Sequence, residues 1–284
     1  MIISIASGKG GTGKTTIATS LALSLNNVVF LDCDVEEPNA HLFLKPEIRE
    51  IEVVKRPVPE VDKEKCIFCG KCAGICEFKA IMVVGKSILT FHELCHGCGG
   101  CVRICPENAI KEGEKEIGII EKGNANGIKF FHGKLNIGEA MSPPLIKKLR
   151  NYENKKGITI IDAPPGTSCP VIASIKGSDF VILVTEPTPF GLYDLELAVG
   201  AVRTLRIPHG IIINRSDIGD DRIRRYAERE KIPILLEIPF DKRIAEAYSQ
   251  GIPLVEEMPE WKEGFLDAYE KIEEILKDEG ACNT

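Results

Sequence analysis

Eight of the chain's 11 cysteines fall into two runs of the same spacing: Cys66, Cys69, Cys72 and Cys76, then Cys95, Cys98, Cys101 and Cys105. Each run reads C-x2-C-x2-C-x3-C, and Pro106 follows the second. Three thiolates on one tight loop suit three corners of an iron–sulfur cube, while the longer last gap sends the fourth thiolate to another cube. The spacing therefore predicts two [4Fe-4S] clusters, one on Cys66, Cys69, Cys72 and Cys105, the other on Cys95, Cys98, Cys101 and Cys76. Zinc, the rival metal, usually takes two short-spaced cysteines and a distant second pair rather than four in one run. His92 and His96 flank Cys95 and are read as loop residues, because the cysteine set is already complete.

A second constellation handles phosphate. Gly8, Lys9, Gly10, Gly11, Thr12, Gly13, Lys14, Thr15 and Thr16 follow a short apolar run and open into a helical stretch. Gly8, four residues, then Gly13-Lys14-Thr15 is the phosphate-loop pattern: glycines let backbone N–H groups wrap phosphates, and a helix N-terminus adds its positive end. Lys14 is placed to reach the terminal phosphates of ATP and Thr15 to reach Mg²⁺. The run Val28 to Leu31 ends in Asp32-Cys33-Asp34, and Gly157 to Ile161 ends in Asp162, followed by Ala163-Pro164-Pro165-Gly166. Asp162 reads as a Walker B aspartate holding Mg²⁺ through water, and the Gly166 N–H as a sensor of the γ-phosphate. Asn214 offers a donor and an acceptor to an adenine edge, with Pro239 beside it after the next strand.

These residues need a scaffold that delivers them to one edge. Strand Met1–Ile5 and helix Ile17–Leu25 begin an alternation that continues with strands at 28–31, 157–162, 180–185, 210–214 and 232–238 and with helices at 143–150, 194–205 and after Asp220. Alternating apolar strands and helices imply a doubly wound, mostly parallel α/β sheet with ligands at the carboxyl ends of its strands. From Lys55-Arg56-Pro57-Val58-Pro59 to Gly113 the composition turns to cysteine, glycine and short turns. The expected organisation is a discontinuous ATPase domain, 1–56 and 114–284, carrying a small inserted α+β domain at 57–113.

At 284 residues, 44% apolar, the chain can bury a sizeable core, and a net charge of −6 offers no general attraction to nucleic acid or to an anionic membrane. With no basic leader and no apolar run near the roughly 18 residues of a membrane span, the expected location is the cytoplasm. A reducing compartment favours metal or redox chemistry over disulfides for so many cysteines. Cys33 reads as a core thiol and Cys169, just after the Asp162 switch, as a buried structural one in preference to a cluster ligand.

The 57–113 stretch resembles the bacterial two-cluster ferredoxins, except that Glu77 stands where they carry proline after the fourth cysteine. The phosphate loop, with its extra lysine at Lys9, resembles the deviant Walker A of the MinD/ParA superfamily. That resemblance implies a homodimer in which Lys9 reaches the nucleotide of a second copy. It also implies that Asp34 orients the attacking water while Lys9 and Lys14 neutralise charge, and that Asp32 sits near the metal. More narrowly the chain is similar to MinD-type ATPases with an inserted ferredoxin domain, relatives of nitrogenase iron proteins and Mrp-type cluster carriers. It departs from the carriers in having only Cys282 near its end, where they bear Cys-x-x-Cys. It departs from MinD in that residues 260–279 are acid-rich, with Trp261, Phe265, Tyr269, Ile272 and Ile275 forming a stripe suited to a core. The implied activity is a slow, partner-stimulated ATPase whose nucleotide state gates electron transfer from the clusters to an unidentified redox protein. A carrier or assembly factor for clusters is the second reading, and a DNA- or membrane-positioning ATPase, lacking any basic tract, the third.

Overall fold

The computed structural model describes residues 1–154 and 156–282, with the side chains of 279–282, Cys282 among them, outside the described residues. The chain divides into two compact units. The first comprises Met1–Ile51, Ile120–Lys134 and the chain from Ile146 onward; the second comprises Glu52–Ile119 and Leu135–Leu145.

The strands are β1 (Ile2–Ala6), β2 (Val28–Asp32), β3 (Glu47–Val61), β4 (Ile81–Val84), β5 (Ser87–Thr90), β6 (Ile110–Ala125), β7 (Ile128–Leu135), β8 (Ile158–Asp162), β9 (Phe180–Thr185), β10 (His209–Asn214) and β11 (Ile234–Ile238). Nine of them form one sheet in the order β11-β10-β9-β1-β8-β2-β7-β6-β3, and β4 and β5 pair as an antiparallel hairpin. From β11 through β7 every neighbouring pair is parallel. The chain leaves β1 toward β2 on one side and reaches β9 on the other, so the order reverses at β1, where an open α/β sheet binds its ligand.

The central strands are apolar throughout because helices cover both faces. Alternate residues of β9 enter opposite cores: Phe180, Ile182 and Val184 pack with Ile17, Leu21 and Phe265, whereas Val181 and Leu183 pack with Leu195, Val199 and Ile223. The helix Trp261–Cys282 buries Phe265, Ala268 and Ile272 in the first of these cores, with Trp261, Tyr269 and Ile275 against it. Among the described residues no helix is long and apolar enough to cross a membrane.

The reading of 55–59 as the start of short turns is corrected. β3 runs unbroken through Pro57 and Pro59 to Val61, which is possible because it is the terminal strand of the sheet and an edge position tolerates residues without an N–H. β6 and β7 are joined by Asn126-Gly127, both at positive φ (50° and 87°), the chemistry of a two-residue hairpin turn.

Candidate functional site

In the first unit, strand register assembles a phosphate site. Ile5 of β1 pairs with Asp162 of β8, and Asp162 with Asp32 of β2, so three strand ends finish level. Gly13 adopts φ 92° and ψ 20° and starts the helix Lys14–Ser24, three residues earlier than the apolar pattern suggests. Lys14, Thr15 and Thr16 therefore form its first turn, whose N–H groups lack acceptors within the helix and face an anion naturally. A side chain at 13 would also collide with Asn214, since its Cβ would lie 2.5 Å from Nδ2. Asn214 in turn braces the loop: its Nδ2 donates to Thr12 O at 2.9 Å.

Thr15 Oγ1 donates to Asp162 Oδ2 at 2.6 Å, while the buried Asp162 Oδ1 and Thr12 Oγ1 have no hydrogen-bond partner among the described residues. Burial pushes the Asp162 carboxyl up to about 6, against the opposing pull of Lys14 and the Thr15 hydrogen bond. A threonine hydroxyl beside a buried carboxylate with an unspent oxygen is a donor set suited to a hard cation, so these residues fit Mg²⁺. Asp34 is half-buried, and its carboxyl is also pushed up to about 6 by burial, opposed by Lys14 and reinforced by Glu37 and Glu36.

Asp32 is placed differently. Its Oδ1 accepts from Asp34 N–H (3.1 Å) and its Oδ2 from Asn39 N–H (3.1 Å) and Ala40 N–H (3.0 Å), so both oxygens already hold the 33–40 loop. Burial, then the neighbouring Asp162 charge, holds its carboxyl well above the usual range. Gly166 donates its N–H to Ser7 O at 2.9 Å, tying the switch to the end of β1. Any signal from a γ-phosphate to that N–H requires this bond to open. Gly11, Gly13, Asn214, Pro239, Phe240, Ile244 and Tyr248 line one cavity beside the loop.

Sequence reasoning missed the surroundings of Lys9. Its Nζ lies 3.4 Å from Glu186 Oε2, and Arg215 Nη1 donates to Glu186 Oε1 at 2.6 Å. Glu186 directly follows β9 at the same carboxyl edge, the position that had singled out Asp32 and Asp162. Cys33 is fully buried and its thiol is pushed far up by burial and the Asp32 charge, whereas the reading of Cys169 as a buried thiol is corrected: it is exposed, at the start of the helix Cys169–Ile175.

In the second unit the two cysteine runs are related by a shift of 29 residues. The same shift relates the helices Lys71–Ile75 and Gly100–Ile104, their left-handed caps Gly70 and Gly99, and further positive-φ positions, Phe68 with Gly97 and Lys79 with Asn108. Ala80 N–H donates to Cys76 Sγ and Ala109 N–H to Cys105 Sγ, each at 3.2 Å. Cys66, Cys69, Cys72 and Cys105 line one cavity, with Phe68, Ile88 and Ile110. Cys76, Cys95, Cys98 and Cys101 line another, with Val58, Ile75 and Ile81. Each cavity thus receives three cysteines from one copy and the fourth from the other. Among the described residues no three His, Cys, Asp or Glu side chains converge on a single-ion position, and the described cysteines are all free thiols. Burial pushes up the thiols of the equivalent pair Cys72 and Cys101. His96 stacks on Phe78 with ring centroids 3.4 Å apart, and His92 Nε2 lies 3.2 Å from Pro59 O. Glu77 is exposed.

Comparison with known proteins agrees with the fold. The model of the CobQ/CobB/MinD/ParA nucleotide binding domain matches residues 3–254. An uncharacterized protein of Methanocaldococcus jannaschii is 33% identical over 97% of this chain and 98% of its own. The iron-sulfur cluster carrier protein of Pyrococcus horikoshii is 26% identical over 97% of this chain and 86% of its own. Among solved structures, the septum site-determining protein MinD of Pyrococcus horikoshii, complexed with Mg-ADP, superposes with a TM-score of 0.60 at 21% identity, covering 96% of each chain. A nucleotide-binding model that runs from β1 through the cavity residues Asn214 and Pro239 makes this chain a member of the CobQ/CobB/MinD/ParA family of P-loop proteins.

Proposed function

We propose that the chain is a homodimeric ATPase whose nucleotide state controls two [4Fe-4S] clusters held by the second unit. The observation that carries the reading is the lining of the two cavities. Each gathers four cysteines in the crossed sets that the spacing demands of paired cubes, in a chain that also carries a phosphate loop. Cys66, Cys69, Cys72 and Cys105 would hold one cluster and Cys95, Cys98, Cys101 and Cys76 the other. Such clusters supply one-electron redox chemistry, at potentials tuned by hydrogen bonds to sulfur and by exposure. The Ala80 and Ala109 N–H groups are aimed at the two crossing sulfurs, Cys76 and Cys105. Apolar side chains of Val58, Ile75 and Ile81 border one and Phe68, Ile88 and Ile110 the other.

At the phosphate site, Thr15 and Asp162 are the residues that would hold Mg²⁺, which neutralises phosphate charge, with Asp32 beside them. Asp32 fixes the 33–40 loop and so sets where Asp34 orients the attacking water. The N–H groups from Gly8 to Thr16 wrap the phosphates, Lys14 stabilises charge on the transferred group, and Lys9 supplies a second positive charge across a dimer. Asn214 and Pro239 border the base. Before Lys9 can cross, it must leave Glu186, and Arg215 remains to hold that carboxylate. The Gly166 switch couples the phosphate to the chain that follows β8.

A second reading is favoured by a specific observation: relatives along nearly the whole chain are named iron-sulfur cluster carrier proteins. On that reading a cluster is cargo and ATP times its release. One experiment separates the two. Chain prepared anaerobically is assayed for iron and sulfide, and its EPR spectrum and midpoint potentials are recorded with and without Mg-ATP. Retained clusters whose midpoints move with Mg-ATP support gated electron transfer, whereas loss of a cluster to an apo-acceptor under ATP supports the carrier. A spectrum and a cluster content indifferent to nucleotide overturn both.

A further inference from the structure

Arg56 lies on β3, outside both cysteine runs, and its side chain is only 3% exposed. Its two Nη atoms donate to the backbone carbonyls of Cys95 and His92. Those carbonyls bracket the single turn His92–Leu94, which closes when Cys95 N–H donates to His92 O at 3.1 Å. The guanidinium charge is met by Glu139, itself 2% exposed, at 3.4 Å, and Glu139 is also held by Lys115 at 3.1 Å. Taking a charged pair out of water is costly. Here the cost maintains a planar fork that clamps two carbonyls of one turn, a geometry lysine cannot reproduce.

The other copy is held by different means. Twenty-nine positions earlier the corresponding turn is capped by Asp62, whose Oδ1 accepts from Glu64 N–H (3.1 Å) and Lys65 N–H (3.4 Å) in an exposed setting. The repeat is therefore symmetric in its cysteines and glycines and asymmetric in what fixes its first cysteine. Cys95 is buried, and its Sγ accepts from Gly97 N–H at 3.4 Å, so the sulfur's position follows the turn that Arg56 clamps.

We infer that Arg56, backed by Glu139, is a positioning residue for the cluster bound by Cys95, Cys98, Cys101 and Cys76, and that the other cluster does not depend on it. This rests on the reading that the second unit holds two clusters. The test uses the full chain, reconstituted anaerobically with iron and sulfide, as wild type, R56K and the pair R56M/E139Q, which leaves no buried carboxylate without its partner. The double variant is expected to lose about half of the iron and one of two EPR signals. The surviving signal should vanish when C69S is added, which assigns it to the other cavity. R56K, which keeps the charge and reaches a single carbonyl, should retain the iron but shift the midpoint of the Cys95-side signal alone. ATP binding at wild-type affinity in each variant shows that the first unit is folded. If wild type takes up no iron, the cluster reading fails. If wild type takes up two clusters and R56M/E139Q keeps both at unchanged midpoints, or loses both together, the assignment of Arg56 is overturned while the cluster reading stands.

Discussion

Asp162 is a buried carboxylate with one oxygen on Thr15 and one unspent, and its carboxyl sits near 6 in place of its usual 3.8. The folded chain without metal therefore binds a proton between about pH 4 and 6 that the unfolded chain does not. Its stability falls as pH rises through that window and stays lowered at pH 7. D162N removes the charge, so it should stabilise the nucleotide-free protein at pH 7 by about 3 kcal/mol, with little gain at pH 4. Thermal melts in EDTA at the two pH values check this. In Mg-ATP the order should reverse, with wild type the more stable, and hydrolysis by D162N should fall at least a hundredfold. That Asp162 and Thr15 come together was legible in the sequence, because a strand end and a motif bring both to one edge. The multiple anchoring of Asp32 was not, because it depends on how the 33–40 loop folds back. Nor was Glu186, because the partner of Lys9 is set by tertiary placement.

Among the elements, the junction of β1, the phosphate loop and the helix Lys14–Ser24 is set by one residue in a left-handed conformation. G13A should weaken ATP binding more than tenfold, since Ala at positive φ costs about 1–2 kcal/mol and its Cβ would press on Asn214. N214A removes one hydrogen bond to the loop, about 1 kcal/mol or roughly fivefold in affinity. In the double variant the collision is gone, so the combined loss measured by titration calorimetry should be smaller than the product of the two. The alternation of strand and helix and the carboxyl-edge placement of the site could be read from apolar periodicity. β3 could not, because Pro57 and Pro59 signal a break unless one knows that the strand lies at the sheet's edge. The start of the helix was hidden as well, because its first turn is made of loop-motif residues without apolar spacing.

For the whole molecule, the proposed dimer makes Lys9 the residue to test. With Mg-ATP, K9A should remain monomeric in sedimentation velocity while binding nucleotide as wild type does. E186Q should lower the concentration needed for dimerisation about threefold, since it weakens a partly exposed ion pair of modest strength. The extent of the second unit also depends on distance: Glu139 enters it through a pair with Arg56, 83 residues away, which no local pattern announces. The 29-residue repeat was plain from the cysteines, yet its crossed lining has a consequence for descent. Each cavity borrows one cysteine from the opposite copy, so deleting either copy would leave neither cavity with four cysteines. On the two-cluster proposal, the two halves must be inherited together. The turns that brace them differ, resting on Asp62 in one and on Arg56 in the other, while the exchanged sulfurs keep one spacing.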